Sequence, residues 1–421
     1  MQFFYCLLAQ VLLLSIILFN HMSIIADRLS KIKPSMTVGI NIKANALRAE
    51  GKDILVLAAG EPDFDTPQNI RNAAFKAIEE GQTRYVPGKG TPALQKAIQD
   101  KFLKDNNIKY DLDEIIVGVG GKHIIYNAMM ATINPGDEVI IPAPFWVSYP
   151  DIVLLSEGKP IIVECSQQQG FKISPKQLEE NITSKTKWLM LNSPSNPTGA
   201  IYSKDELIEL SKVLLKHPNV FILSDDIYEK IIYDGLEFST LASVEPSLKN
   251  RCLTLNGVSK SYCMTGWRLG YCGSSKEIIS AMNKIQSQSN TSTSSISMAA
   301  SVEALNGTQD FIKTHNKSFL KRRDMVVEEL NKIQGISCLT PQGAFYVYPN
   351  CSGIIGKVTP KGNEISNDED FMNYLLESEG VAGVHGAAFG LSPYFRLSYA
   401  TSDEILKDAC SRIKRACEKL K

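Results

Sequence analysis

From about residue 53 onward, short apolar runs alternate with stretches of helical periodicity, and this alternation is what most limits the fold. A strand that is apolar throughout must be covered on both faces. Strands of that kind separated by helices predict an α/β fold with a largely parallel sheet. Ile115–Val119, Asp137–Ile141, Lys159–Glu164, Lys187–Asn192, Val220–Ser224, Arg251–Asn256 and Leu269–Cys272 read as strands, with helical patterns at His123–Ile133 and Lys204–Leu215. After Asn306 a basic helical stretch containing Phe319–Asp324 leads to strands at Gly343–Tyr348 and Tyr394–Ser398 and a closing helix, Ser402–Leu420. At 421 residues the chain exceeds one ordinary domain. The pattern predicts a large domain at 67–305 and a small domain at 306–421, joined by the N-terminal segment 22–66.

The first 21 residues stand apart. Phe3 to Phe19 is almost wholly apolar, interrupted by Gln10 and Ser15, and lies at the short end of the roughly 17–25 residues that cross a bilayer. The first basic residue is Arg28, so a secretory signal and positive-inside flanking are both poorly supported. Met22 precedes an ordinary amphipathic start, Ser23-Ile-Ile-Ala-Asp-Arg-Leu. Residues 1–21 therefore read as a misassigned upstream start; a membrane anchor is the alternative. Lys+Arg 45 against Asp+Glu 45 gives no net charge, so nothing calls for nucleic acid or a membrane surface as partner. Nine dispersed cysteines without a C-x-x-C pair predict reduced thiols and a cytoplasmic location. Five histidines without an H-E-x-x-H motif predict no metal centre.

In an open parallel sheet, ligands bind beyond the carboxyl ends of the strands. Gly120-Gly121-Lys122 follows the first strand and opens a helix: glycine backbone, helix dipole and lysine could hold a phosphate, although such turns are common. Trp146 follows the second strand, as a stacking face for an aromatic ligand or as a core residue. The loop Asn192–Gly199 has two prolines and a glycine that would hold the Asn196 amide in place. Asp225, Asp226 and Tyr228 follow the strand at 220–224. A buried carboxylate there needs a cation, such as a protonated pyridine nitrogen for Asp225, whereas Asp226 reads as a solvated strand end. Lys260 sits in the apolar loop Gly257-Val-Ser-Lys260, where desolvation would free its amine to attack an aldehyde, and Arg268 could fork onto a phosphate. Arg396, in Tyr394-Phe-Arg396-Leu-Ser, needs a carboxylate from the protein or from a substrate.

Taken together and in this order, these segments resemble the class I aminotransferases of the fold-type-I pyridoxal-phosphate enzymes, in particular the bacterial aspartate aminotransferase subgroup that includes aspartate/prephenate enzymes. The resemblance runs from about Ile24 to the C-terminus and rests on Leu57–Pro67, Asn192–Gly199, Ser224–Glu229, Ser259–Tyr271 and Phe395–Ser402. It implies pyridoxal 5′-phosphate held by Lys260 as a Schiff base, with Asp225, Tyr228, Asn196 and Trp146 addressing the ring and Gly121, Lys122 and Arg268 the phosphate. It implies amino-acid and 2-oxo-acid substrates gripped by Arg396, Gly60, Trp146 and Asn196. Tyr85 resembles the tyrosine that such enzymes lend to a neighbouring subunit, which implies a homodimer. Lys33 resembles a position linked to prephenate use, and it and Lys122 are the candidates for a second carboxylate.

The chain departs from the family pattern at Asp226, where glutamate is more frequent, at His123, where glutamine is usual, and at His385, where proline is usual. None of these removes a catalytic group. A lyase or synthase on the same scaffold would keep every motif but break a different bond. A non-catalytic regulator would carry a basic helix-turn-helix, for which no stretch has room.

Overall fold

The computed structural model describes residues 24–34 and 36–421; the expectation for residues 1–21 lies outside them. The strands, in chain order, are β1 (Leu55–Val56), β2 (Ile115–Gly118), β3 (Glu138–Ala143), β4 (Lys159–Glu164), β5 (Thr186–Asn192), β6 (Phe221–Asp225), β7 (Cys252–Gly257), β8 (Gly270–Gly273), β9 (Tyr346–Val347), β10 (Val381–Ala382), β11 (Val384–His385) and β12 (Phe395–Ser398).

Seven of them form one sheet in the order β2-β8-β7-β6-β5-β3-β4. The neighbours from β7 to β4 pair in parallel, and β8 runs antiparallel to both β2 and β7. The apolar runs behave as their periodicity requires. Ile115, Val117, Ile140, Leu189, Leu191 and Ile222 pack into one layer with helices Gln68–Glu79, Pro92–Asn106, Lys204–Lys216 and Ser295–Asn306. Their neighbours Ile116, Val139, Ile141, Trp188, Met190, Leu223 and Leu253 pack into the opposite layer with helices Gly121–Thr132, Tyr149–Leu155 and Lys276–Ser289. Both faces of the sheet are dry at its centre, which explains the continuous apolar runs of β2 and β3.

A second core gathers Tyr346, Val347, Phe395 and Leu397 with helices Asp310–Asn331, Asp368–Glu379 and Asp403–Glu418. The strands here are a three-stranded antiparallel set, β11-β12-β9. β1 pairs in parallel with β10, joining Leu55 to Val381 and tying the segment after the N-terminal helix Met36–Ala49 to the C-terminal part of the chain. The expected strand at 343–348 is shorter than its apolar pattern suggested, because Gly343 instead bridges back to Ile232. Helix Asp403–Glu418 starts where Ser402 accepts a hydrogen bond from the Ile405 N–H, as a serine N-cap should. No helix among the described residues is long and apolar enough to cross a membrane.

Candidate active site

A cavity of about 400 Å³ opens at the carboxyl ends of β5, β6 and β7, between the large sheet and the small one. Its wall includes Gly60, Gly121, Lys122, Trp146, Asn196, Asp225, Tyr228, Lys260, Arg268 and Arg396. Ten of the residues singled out in the sequence thus meet in one space.

Asp225 ends β6 and is buried. Its carboxylate accepts from the Tyr149 hydroxyl at 2.7 Å and the Ile227 N–H at 3.3 Å. Burial outweighs these bonds and pushes its pKa up to about 6, a value that a cationic ligand would lower again. Asp226 is not the solvated strand end expected from the sequence: it is only 1% exposed. Its N–H bonds to the Leu255 carbonyl, so the backbone stays in the sheet for one more residue and takes the side chain inward. Ser224 Oγ donates to one Asp226 oxygen at 2.7 Å, the other has no partner, and burial holds its pKa well above the carboxylate range.

Arg396, on β12, is 2% exposed. One nitrogen donates to Asn196 Oδ1 at 2.8 Å and another to the Ala58 carbonyl at 2.6 Å, while Nε has no partner. Its guanidinium lies 4.6 Å from the centre of the Tyr346 ring and 5.0 Å from that of Phe389. Among the described residues no carboxylate of the chain pairs with it, so the structural ion pair that the sequence left open is not what holds it. A buried guanidinium on a cavity wall, with no carboxylate paired to it, is a receptor for an anion. Asn196 is fixed in turn, since its N–H donates to Asn192 Oδ1 at 2.8 Å.

Lys260 donates to the Gly60 carbonyl. Burial first, and then the charge of Arg396, bring its amine down to about 8, which makes a useful fraction neutral and nucleophilic near neutral pH. At the other end, Gly120 has φ +79° and the helix starts at Gly121. A side chain on Gly120 would meet Arg268 Nη2 at 2.6 Å, and one on Gly270 would meet the Gly121 nitrogen at 2.5 Å. These glycines let Arg268 and the helix N-terminus share one small space. Lys122 Nζ lies 4.9 Å from the Trp146 ring centre, and burial and Arg268 both lower its pKa. Two cations and free N–H groups at a helix start suit a dianion. Trp146 stands edge-on to Tyr149 and lines the cavity, so it is not simply a core tryptophan.

Two predicted residues are not in this space. Tyr85 is 93% exposed, and Lys33 is exposed, with its N–H directed to Asp151. Sequence reading also missed Tyr346, on the cavity wall, and Tyr149, which lies behind the wall against Asp225. Tyr149 and Tyr346 sit in apolar surroundings where a tyrosine reads as core, and only their position after β3 or beside β12 could have flagged them. Among the described residues no group of three or more His, Cys, Asp or Glu is placed to hold a metal.

Comparison with known proteins gives a consistent result. The family model described as "Aminotransferase class I and II" matches residues 52–413. Aspartate/prephenate aminotransferase of Cereibacter sphaeroides is 54% identical over 396 residues, 94% of this chain and 99% of that protein. Aspartate aminotransferase of Rhizobium meliloti is 54% identical over 395 residues, covering 94% and 96%. The crystal structure of the Rhizobium meliloti aspartate aminotransferase superimposes with a TM-score of 0.93 at 53% identity, covering 95% of this chain and all of that one. That of Thermus thermophilus aspartate aminotransferase with maleate gives 0.88 at 39% identity, covering 94% and all of that chain.

Proposed function

The chain belongs to the class I and II aminotransferases, and from that premise we propose that it moves the amino group between aspartate or glutamate and 2-oxo acids such as oxaloacetate and 2-oxoglutarate, and accepts prephenate, using pyridoxal 5′-phosphate on Lys260. The observation that carries the reading is the placement of Lys260 between a buried carboxylate, Asp225, and a buried arginine, Arg396, with an unused donor.

The residues present fit this cofactor. Lys260 offers an amine near neutrality, the Gly121 helix start with Lys122 and Arg268 offers a dianion site, and Asp225 lacks the cation that a pyridinium nitrogen would supply. The cofactor supplies an aldehyde for the lysine and a ring that draws electrons from the substrate's α-carbon. Asp225 would hold a proton on the ring nitrogen, and the Tyr228 hydroxyl would donate to the ring's phenolic oxygen. Trp146 and Asn196, both on the cavity wall, would hold the ring. Arg396, aimed by Asn196 and the Ala58 carbonyl, binds the α-carboxylate, and Gly60 leaves room for it. Lys260 Nζ would take and hold the proton from the substrate's α-carbon. Lys33 and Lys122 serve the second carboxylate.

The exposed Tyr85 would reach the phosphate site of a neighbouring copy in a homodimer, and the free thiols among the described residues fit the cytoplasm. Borohydride trapping of the loaded protein followed by peptide mapping tests the centre of the reading: label belongs on Lys260. A half-reaction with aspartate that releases oxaloacetate tests the chemistry. Label on another lysine, or no oxaloacetate, would overturn it. Sedimentation of a monomer at assay concentration would overturn the dimer.

A further inference from the structure

Tyr228 and Arg396 come from different parts of the chain, the loop after β6 and the strand β12, yet one residue touches both. Tyr346 lies on β9, in register beside Ser398 of β12, and is completely buried on the cavity wall. Its hydroxyl is 2.8 Å from that of Tyr228. Its ring face lies 4.6 Å from the Arg396 guanidinium. A side chain on Gly60 would come within 3.0 Å of the same hydroxyl, so the surroundings leave it little other space.

We propose that Tyr346 is a positioning residue for transamination, its hydroxyl directing the Tyr228 hydrogen bond toward the ring and its face holding Arg396 for the substrate carboxylate. The inference rests on the reading of the site given above. Each phenol has one proton. If Tyr228 gives its own to the ring oxygen, the short contact requires Tyr346 to donate to Tyr228. Hydrogen bonds in such a chain polarise one another, so Tyr228 becomes the stronger donor. The ring face does separate work, since a guanidinium without a carboxylate is stabilised by aromatic faces on its flat sides.

The two halves can be separated in the pyridoxal-phosphate-loaded full chain. Tyr346→Phe keeps the ring and removes the hydroxyl. Weaker donation to the ring oxygen destabilises the deprotonated form of the lysine-linked cofactor, so the pH midpoint of its visible absorbance change rises. One hydrogen bond's net contribution corresponds to roughly 0.5–1 pH unit. The KM for aspartate stays within about twofold, because the face on Arg396 remains. In a Tyr228→Phe background the same substitution moves the midpoint no further, because the route through Tyr228 is already gone. A packing role predicts no such dependence: an unchanged midpoint in Tyr346→Phe, or a shift that adds to that of Tyr228→Phe, overturns the proposal.

Tyr346→Leu, or Tyr346→Met if leucine does not fold, also removes the face and raises KM for aspartate roughly 3- to 30-fold. An aspartate KM equal to that of Tyr346→Phe overturns the Arg396 half. A wild-type protein with no lysine-linked absorbance overturns the aminotransferase reading itself, an outcome distinct from all of these.

Discussion

The floor of the cavity and its N-terminal rim are built differently. On the floor, Asn196, Asp225 and Arg396 are each less than a tenth exposed and fixed by bonds to at least two other groups. At the rim, Lys33 is exposed and meets Asp151, and Tyr85 projects into solvent. Asn196 and Asp225 are held at or just beyond the ends of adjacent parallel strands, where Asn192 lies beside Asp225, so sheet register brings these two together. Arg396 joins them from β12 of the small sheet through its bond to Asn196. In the function proposed above, the rim groups act on something the single chain lacks, a substrate's second carboxylate or a second copy. Floor substitutions should therefore affect every substrate alike, whereas rim substitutions should discriminate among them.

The largest effect is expected at Lys260. Lys260→Ala removes both the anchor and the proton carrier, so turnover of aspartate with 2-oxoglutarate falls by at least about 10⁴-fold. A steady-state rate within tenfold of wild type would break the distinction at its centre. Asp225→Asn comes next. The shape and the bond from Tyr149 survive, but the charge is lost, and kcat falls roughly 10²- to 10³-fold for all donors while the far-UV spectrum is unchanged. A loss confined to dicarboxylates would move Asp225 out of the ring-binding floor.

At the rim the expected effect is smaller and selective. Lys33→Ala should lower kcat/KM for prephenate roughly two- to fivefold more than for alanine, the scale of an exposed ion pair. Comparing the specificity constants for the two donors checks it. Equal losses would give the Lys33 side chain no part in selection.

These differences explain what could be read in the sequence. The large sheet was legible because Ile115–Val117 and Val139–Ile141 are apolar on both faces, and only a doubly covered strand tolerates that. Asp225, Lys260 and Arg396 were legible because a charge in an apolar strand-end segment needs a reason. Tyr149 and Tyr346 were not, because a buried tyrosine needs only one hydrogen-bond partner, and the sequence does not say where that partner is. Helices Gln68–Glu79 and Pro92–Asn106 went unmarked, although both cover the sheet. Asp226 was misread because a solvated strand end and one extra residue of sheet have the same spelling; only the Asp226 N–H to Leu255 bond distinguishes them.

Asp226 therefore gives the smallest effect on rate and a sharp control within the floor. It adjoins Asp225 but is absent from the cavity wall, and its bonded oxygen is held by Ser224. Asp226→Asn should leave kcat within about twofold, in contrast to Asp225→Asn. Its effect should appear in stability and depend on pH. Unfolded, the carboxyl releases its proton near pH 4; folded, burial keeps the proton to well above that. Between the two values the native state binds a proton that the unfolded state has lost, so wild-type stability falls as pH rises, by at most about 1.4 kcal/mol per unit. Asparagine does not titrate. The unfolding midpoint of the variant, relative to wild type, should thus climb from pH 5 to pH 8 in parallel denaturation series. A difference that stays flat across that range would mean Asp226 is ionised in the fold, and a variant as slow as Asp225→Asn would place it in the chemistry.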